Sequence, residues 1–376
     1  MENILILGGG LQGLSCGDSL SHKGFIVDVM SSELQIKKSK FFNRTYACSL
    51  NLSIKELSSI LDKNHYDVIF PMSDKFVSLL SKNKDFLEKK YGVKCACPNY
   101  DTLSIVENKH LFMMFCSQKN IPHPKTLPIN NENFEDCAIH IGFPSLIKPD
   151  FSVGARGITK VYSLIELKEK ISSVIENYGS CTLQELINNE DYYYNVMLYR
   201  NNKGDFPAYT IRKIVRMFPV DAGSSSCLIT KDNHELLEIC KDCLNKLNWI
   251  GMADFDVLQR QDNKEFKIIE INPRVPASLR AAAISGINFP EIIVLDAMGK
   301  TVPNYKYQPG KILRYLGLDI MWFFKAKNRS GAYPHWCHFY GNHIYYQDIY
   351  MNDPSTWWTW LIEGISKIKK RNKRIR

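Results

Sequence analysis

The sequence opens with an apolar run at residues 3–7 that leads directly into a cluster of glycines, GGGLQG. Gly8, Gly10 and Gly13 have the G-x-G-x-x-G spacing that lets a buried strand turn tightly into a helix. Asp28 follows 20 residues after Gly8, within the next apolar run, where dinucleotide-binding domains place an acid for the ribose. The pattern predicts a strand–helix–strand unit and raises the question of whether a nicotinamide cofactor binds there.

Strand-like and helix-like segments alternate along the chain, which predicts an α/β protein with a parallel sheet in its N-terminal part. Strands at 25–30 and 66–74 complete a doubly wound domain that we place at residues 1–100. A helical stretch at 102–120 then leads into a mixed α+β region. Its predicted elements are strands at 142–150, 181–187, 191–201 and 207–218, a helix at 234–247, a hairpin at 251–274 and a helix that starts near 277.

Composition narrows the classes of partner and of compartment. The 376 residues carry a formal net charge of +9, which favours an anionic partner such as a nucleotide, a nucleic acid or a membrane surface. Much of the excess lies in the last ten residues, so nucleic-acid binding has little support. The 11 cysteines and the absence of a secretory signal before the first strand predict reduced thiols in the cytoplasm. There is no run of 18 apolar residues, so no membrane-spanning helix is expected.

The segment GMADFDVLQRQDNKEFKIIEINPR contains two strand-like runs around a polar turn. Strand alternation places Asp254 and Asp256 on one face of the first strand, and Glu270 and Asn272 on one face of the second. A hairpin brings the two faces together, and carboxylates packed so closely need a cation, for which Mg²⁺ is the best match. Arg274 follows at a position to meet a phosphate or a developing oxyanion. The alternative, a solvent-facing acidic hairpin, fits poorly with the apolar residues beside the acids.

A second segment, IKPDFSVGARGI, combines a lysine with a glycine-containing loop. Lys148 ends an apolar strand, and Ser152, Gly154 and Gly157 follow in a loop whose backbone N–H groups can approach phosphates. The G-x-x-x-x-G-K-[ST] pattern of a P-loop is missing, so the glycines alone are weak evidence. Together with Lys148 and the downstream carboxylates they predict a nucleotide site.

Taken in order, NK, IKP with SVGARGI, QELI with a nearby acid, ADFDV and EINPR resemble the motifs of the ATP-grasp superfamily. The segment IIEINPRVPASLRAAAISG is especially similar to the large subunit of carbamoyl phosphate synthetase, and the chain also resembles the biotin carboxylase branch. The resemblance implies a Rossmann-like domain at 1–100 and an ATP-grasp domain at 101–300, with a lid at about 121–187. Residues 301–376 form an extension that does not follow these relatives.

The resemblance also implies a role for each matched residue. ATP would be bound by Lys109, Lys148, the lid residues Ser152, Gly154 and Gly157, the adenine hinge Gln184, Glu185, Leu186 and Ile187, and the ribose ligand Asp191. Mg²⁺, or Mn²⁺ in its place, would be held by Asp254, Glu270 and Asn272, while Arg274, Asn272 and Lys213 would act at the transferred phosphate and the acceptor. The hinge acid is shifted by one position, Glu190 competes with Asp191 for the ribose, and Asp256 is an extra acid without an assigned role.

The implied reaction joins a carboxylate to an amine through an acyl phosphate, on small molecules such as an amino acid or a cell-surface glycan precursor. Two alternatives stay open, namely phosphoryl transfer of the carboxylase or kinase type on the same site, and a non-catalytic nucleotide-binding protein. The resemblance favours a structural or acceptor-site role for the glycine turn and for Asp28 over binding of a nicotinamide cofactor. Arg280 either pairs with a substrate carboxylate or lies on the surface of a helix.

The C-terminal extension is rich in aromatic residues and ends in a basic tail. Within 355–376, Trp357, Leu361, Ile365 and Ile368 share a helical face, which is typical of an interfacial helix. The plainer interpretation is packing on the protein itself or on the second subunit of a homodimer. The sequence thus predicts a cytoplasmic enzyme, with peripheral contact to the inner face of the membrane as an option.

Overall fold

The structure, a computed structural model, describes residues 1–49, 52–151, 156–189, 192–220, 223–327, 329 and 331–356. Within these residues the strands form three sheets, of five, four and seven strands. Helices accompany each sheet, and the chain is mixed α/β, as the sequence predicts.

The N-terminal sheet carries the glycine turn at the carboxyl end of its central strand. Its elements are β1 Asn3–Leu7, α1 Gly10–His22, β2 Ile26–Met30, α2 Leu34–Lys38, β3 Arg44–Tyr46, α3 Ile54–Leu61, β4 Val68–Pro71, α4 Asp74–Lys82, α5 Lys84–Tyr91 and β5 Lys94–Cys95. The strands are parallel and run in the order β3-β2-β1-β4-β5. This order is the doubly wound one, in which ligands bind outside the carboxyl ends of the strands.

The helical stretch predicted at 102–120 is two helices, α6 Tyr100–Glu107 and α7 Lys109–Gln118. Asn108 separates them because its backbone is extended, with φ −99° and ψ 113°, and its side chain accepts a hydrogen bond from the backbone N–H of Leu111 at 3.0 Å. This is the capping geometry that starts a new helix. The break therefore places Lys109 in the first turn of α7 and not in the middle of a helix.

The four-stranded sheet is antiparallel and is covered by two helices. Its elements are β6 Thr126–Ile129, α8 Phe134–Ile141, β7 Ser145–Pro149, β8 Thr159–Val161, α9 Leu164–Tyr178 and β9 Cys181–Glu185. The strand order is β6-β9-β7-β8. Ile147, Leu167, Ile171 and Leu183 are at most 1% exposed and form its small hydrophobic core, so this layer has a core of its own.

The seven-stranded sheet holds the predicted hairpin at one edge. Its elements are β10 Tyr193–Arg200, β11 Ala208–Phe218, β12 Ser224–Lys231, α10 His234–Lys246, β13 Gly251–Gln259, β14 Phe266–Asn272, α11 Arg280–Ile284, α12 Phe289–Ala297, β15 Ile312–Arg314, α13 Leu316–Lys325 and β16 Ile344–Tyr346. The order is β14-β13-β10-β11-β12-β15-β16, antiparallel except for the last pair. The helix predicted from 277 begins at Arg280.

Two hydrophobic clusters join the N-terminal sheet to the seven-stranded sheet. Leu5 and Leu7 are buried in the same cluster as Ile211 and Phe255. The second cluster contains other residues of β1 and β4 together with residues of β10 and β13. Because this shared core continues across both sheets, the carboxyl edge of the N-terminal sheet lies against the loop that follows β14.

The extension after residue 300 packs on the rest of the protein as far as the structure describes it. β15 and β16 add two strands to the seven-stranded sheet, and the hydroxyls of Tyr350 and Ser15 lie 2.8 Å apart. Asp353 accepts a hydrogen bond from Ser39 at 2.7 Å, so this segment reaches α1 and the end of α2. Residues 357–376, which carry most of the proposed interfacial helix and the basic tail, lie outside the described residues. The predicted domain boundaries near 100 and 300 stay predictions.

No helix in the described part of the chain combines the length and the apolar character needed to cross a membrane.

Candidate active site

The glycine turn is closed by a carboxylate of the chain itself. Glu33 accepts a hydrogen bond from the backbone N–H of Gly10 at 2.8 Å, at the start of α1. Gly10 adopts a φ of +73°, and a Cβ on Gly9 would lie 2.6 Å from Oγ of Ser31. The turn thus needs glycine for its backbone shape and for its packing, and the N-terminal charge of α1 already faces an anion.

Asp28 serves the structure of the N-terminal domain. It is 4% exposed, and its two oxygens accept hydrogen bonds from the Tyr66 hydroxyl at 2.6 Å and from Nδ2 of Asn43 at 3.1 Å. A buried carboxylate with both oxygens occupied does not present itself to a ribose. The geometry supports the structural role for Asp28.

The predicted hairpin forms, and its two polar faces meet as predicted. Asp254 pairs with Asn272 and Asp256 pairs with Glu270 across β13 and β14. Burial, followed by the carboxylates of Glu270 and Asp254, raises the pKa of Asp256 well above its usual value. Burial acts in the same direction on Glu270, but Lys109, the hydrogen bond from Asp256 and Lys148 outweigh it and lower the pKa of Glu270. Burial and the facing carboxylates thus favour the protonated form of Asp256, whereas the two lysines favour the ionised form of Glu270.

Two lysines approach this pair from other elements. Nζ of Lys109, at the start of α7, lies 3.5 Å from Oε2 of Glu270. Lys148, on β7, is 7% exposed, and burial lowers its pKa to about 8 against the opposing charge of Glu270. The backbone N–H of Lys109 also donates to the carbonyl of Asp150 at 3.0 Å, which ties α7 to the end of β7. Helix α7 and strand β7 thus bring both predicted lysines towards Glu270 of the seven-stranded sheet.

Asp254 is engaged elsewhere, contrary to the simple picture of three converging metal ligands. Its carboxylate forms an ion pair with Arg212 of β11, and both side chains are almost completely buried. Burial raises the pKa of Asp254 despite the nearby guanidinium groups of Arg212 and Arg274. Asp256, which had no predicted role, is the acid that faces Glu270.

Arg274 links the hairpin to the N-terminal domain. Its Nε lies 3.2 Å from Oδ1 of Asp74 in the first turn of α4, and its Nη2 donates to Oδ1 of Asn272 at 3.3 Å. Asp74 was not predicted as a site residue. Its contact with Arg274 places the predicted phosphate-facing arginine at the carboxyl edge of the N-terminal sheet.

Two side chains of the predicted adenine hinge, those of Gln184 and Glu185, bond to other residues of the protein. Nε2 of Gln184 donates to the Thr126 hydroxyl at 2.9 Å, and Glu185 accepts from the backbone N–H of Lys125 at 2.8 Å and pairs with Arg260. Leu186 donates its backbone N–H to Pro144 at 3.2 Å, and Ile187 is 4% exposed. Of the predicted lid, Gly157 has a φ of +75° and a Cβ there would lie 2.8 Å from Pro149, so glycine is required at that position. Ser152, Gly154, Glu190 and Asp191 lie outside the described residues.

Two predicted acceptor-site residues lie apart from this centre. Lys213 is on the face of β11 opposite to Arg212, with its Nζ 3.3 Å from the centre of the Tyr192 ring. Arg280 donates to the backbone carbonyls of Tyr346 and Ile349, at 2.7 and 2.5 Å, and so holds the C-terminal segment. The acceptor role of Lys213, which the resemblance implies, stays a prediction, and of the two roles left open for Arg280 neither includes this contact with the C-terminal segment.

The donor set suits a hard divalent cation bound together with phosphate oxygens. Asp256 and Glu270 face each other, Asn272 is two residues further on, and the two lysines offset the remaining charge. Mg²⁺ typically takes one or two protein carboxylates and fills its other positions with phosphate and water oxygens. Within the described residues no three His, Cys, Asp or Glu side chains come together as a metal cage.

The fold and part of the sequence match known proteins. A family model described as "ATP-grasp in the biosynthetic pathway with Ter operon" matches residues 210–317, from β11 through the hairpin to the start of α13. Biotin carboxylase from Campylobacter jejuni in complex with an ATP analogue superposes with a TM-score of 0.69 at 17% identity, over 83% of this chain and 74% of that chain. N5-carboxyaminoimidazole synthetase from Staphylococcus aureus in complex with ADP gives 0.67 at 16% identity, over 83% and 81%.

Two relatives with assigned names are similar in sequence. The large chain of carbamoyl phosphate synthase from Methanothermobacter thermautotrophicus is 25% identical over 222 residues, which are 56% of this chain and 21% of that protein. D-aspartate ligase from Enterococcus faecium is 23% identical over 264 residues, which are 62% of this chain and 59% of that protein. The matched part thus spans about a fifth of the first relative and three-fifths of the second.

In its fold the chain is similar to ATP-grasp proteins, and residues 210–317 match an ATP-grasp family model. The resemblance to the ATP-grasp superfamily that the motifs predict is thereby confirmed.

Proposed function

We propose that the protein is an ATP- and Mg²⁺-dependent ligase that joins a carboxylate to an amine, with ADP and phosphate as the other products. The observation that carries this proposal is the convergence of Lys109, Lys148, Asp256 and Glu270 between two sheets, with Arg274 at their edge. Such a set can neutralise a triphosphate on several sides. The name of the D-aspartate ligase relative supports an amino acid as the amine.

In the proposed first step an oxygen of the substrate carboxylate attacks the γ-phosphorus of ATP. The bond from that phosphorus to the bridging oxygen breaks, and ADP and an acyl phosphate form. Phosphoryl transfer of this kind needs positioning and charge neutralisation and little covalent chemistry from the protein. Lys148 and Lys109 would hold the phosphates, and Arg274 would face the transferred group.

In the second step the neutral amine attacks the acyl carbon. The carbon–oxygen bond to the phosphate breaks, inorganic phosphate leaves, and the amine nitrogen gives up a proton. Asp256, Glu270 and Asn272 would hold Mg²⁺, which supplies charge stabilisation for the phosphate oxygens when bound. The predicted metal role of Asp254 has less support, because Arg212 already pairs with its carboxylate.

A screen of ADP and phosphate release tests the proposal. Purified protein is incubated with ATP, Mg²⁺ and pairs drawn from amino acids and carboxylated sugars. Release that requires both members of one pair supports a ligase. Release with a carboxylate or a hydroxyl compound alone, with phosphate recovered on that compound, would identify a phosphoryl-transfer enzyme instead, and the absence of Mg²⁺-dependent ADP binding would contradict both.

A further inference from the structure

A buried guanidinium that no sequence motif predicted lies on the same face of the sheet as the hairpin carboxylates. Arg212 is 0% exposed and pairs across the sheet with Asn195 of β10, which in turn pairs with Asp256. Asp256 pairs with Glu270, so these residues form one row across four strands. Cross-strand partners share a face, and Arg212 therefore belongs to the polar face of the site.

Arg212 joins two parts of the site through separate nitrogens. Its Nη2 pairs with Oδ1 of Asp254 on β13, and its Nη1 donates to the Ser278 hydroxyl in the loop that follows Arg274. The backbone carbonyl of Asp254 accepts from Nδ2 of Asn272 at 3.4 Å, and Oδ1 of Asn272 accepts from Arg274 at 3.3 Å. Together with the chain from Arg274 to Ser278, these contacts form a closed ring.

The charges of this ring argue against a cation at Asp254. The guanidinium of Arg212, which pairs with Asp254, would repel a divalent ion bound there. The charge of Arg274, which acts to lower the pKa of Asp254, would repel it as well. A planar guanidinium with fixed donor directions holds two partners at once, whereas a lysine ammonium is a single point of contact. The Arg212–Asp254 pair can therefore hold β13 and the loop that contains Ser278 in one relative position.

We infer that Arg212 and Asp254 form a positioning pair that fixes Arg274 relative to the metal-binding carboxylates Asp256 and Glu270. The inference rests on the proposed function, because it concerns the placement of the group that faces the transferred phosphate. In a site that works by placement, a shift of about 1 Å lowers the rate by about 100-fold. Arg212 acts through Arg274 and does not itself contact the substrate.

The test measures the affinity for MgADP by calorimetry, alone and with fluoroaluminate, which mimics the phosphoryl group in transfer. Wild type should bind MgADP more tightly when fluoroaluminate is present, because the site is complementary to the transition state. Arg274→Gln sets the reference for complete loss of this gain. Arg212→Lys and Ser278→Ala should leave the affinity for MgADP alone unchanged and lose about tenfold or more of the fluoroaluminate gain.

Matched controls separate positioning from general destabilisation. Ser285→Ala removes a buried hydroxyl that contacts Thr230, and Arg200→Lys replaces an arginine that donates to Asn245. Both variants should keep the full gain in MgADP affinity that fluoroaluminate gives wild type. A folded Arg212→Lys variant that keeps the gain, or that weakens both affinities equally, overturns the inference. If Arg212→Lys does not fold, Ser278→Ala decides by the same criterion. Wild type that does not bind MgADP, or shows no gain, contradicts the proposed function itself.

The metal part of the inference has its own measurement. In the same assay, Asp256→Asn should raise the Mg²⁺ concentration needed for ADP binding, and Asp254→Asn should leave it unchanged. An equal increase for both variants would place Asp254 among the metal ligands and would overturn its assignment as the counter-ion of Arg212.

Discussion

The glycine turn and the hairpin are both polar centres at the edge of a sheet, but their charges are arranged in opposite ways. At the turn, each charge has its partner within the chain, since Glu33 meets the start of α1 and Asp28 is held by Tyr66 and Asn43. At the hairpin, the buried carboxyl groups of Asp256 and Glu270 face each other, and Lys109 lies beside them. The carboxylates of the turn meet only hydrogen-bond donors, whereas Asp256 and Glu270 also oppose each other.

This difference separates a motif that shapes a fold from one that binds. Buried carboxylates that face each other are costly unless a cation neutralises them. The hairpin is therefore the candidate binding site. A glycine turn whose N–H groups already meet a carboxylate has no such requirement. The partners of Glu33 and Asp28 thus support the structural role predicted for the glycine turn.

The same substitution in the two centres should have opposite effects. We expect Asp256→Asn to lower ADP release by at least about 100-fold, because it removes one of the two facing carboxylates from the metal site. The stability of the ligand-free protein should hold or rise, because burial and the neighbouring carboxylates disfavour an ionised Asp256. Steady-state rates and thermal unfolding check the two halves. Full activity of the folded variant would remove Asp256 from the metal site.

Asp28→Asn should have the opposite effect, a loss of stability with no change in nucleotide binding. An asparagine there can accept from Tyr66, but its amide group then meets the Asn43 amide donor, so one buried contact is lost. We expect a cost of about 1–3 kcal/mol in the free energy of unfolding. The affinity for MgADP should not change. Asp62→Asn, at a side chain that is 55% exposed, is the control and should unfold like wild type. Weaker MgADP binding by Asp28→Asn would link the turn to the nucleotide.

The sequence predicts the hairpin well because its information is local. Alternation within β13 and β14 puts the acids of each strand on one face, and a register shift between Asp256 and Val257 then sets Asp254 opposite Asn272 and Asp256 opposite Glu270. The motif order then gives the ATP-grasp fold. Lys148 also lies where it was predicted, since an apolar strand fixes its place in a sheet.

Local sequence patterns do not predict contacts between strands that are far apart along the chain. Asn195 and Asp256 meet across 61 residues and Arg212 and Asp254 across 42, and no local pattern fixes the register of β10 and β11. For the same reason Arg212 was not predicted at the site. The break at Asn108 was missed because a helical hydrophobic pattern continues through it, while the extended backbone of one capping residue ends the helix.

The binding centre should respond to pH through Lys148. Burial lowers its pKa to about 8, so the side chain is charged below that pH and neutral above it. If only the charged form holds the phosphates, the affinity for a non-hydrolysable ATP analogue at saturating Mg²⁺ should fall about tenfold between pH 7 and pH 9. Lys148→Arg should bind with much less dependence on pH, since a guanidinium stays charged. A flat profile for wild type would show that Lys148 does not contact the phosphates.

The smallest expected effect is at the carboxylate that closes the glycine turn. Glu33→Gln keeps an acceptor for the Gly10 N–H and loses the charge at the start of α1, which should cost about 0.3–1 kcal/mol of stability. Glu33→Ala loses the acceptor as well and should cost about 1 kcal/mol more. Both variants should bind MgADP like wild type, because Lys148, Asp256 and Glu270 lie on the other two sheets and Lys109 lies on α7. A lower affinity for MgADP in either variant, measured by calorimetry on folded protein, would show that the two centres are coupled. Gained affinity for inorganic phosphate in Glu33→Ala alone would show that the turn is an anion site which the chain fills with its own carboxylate.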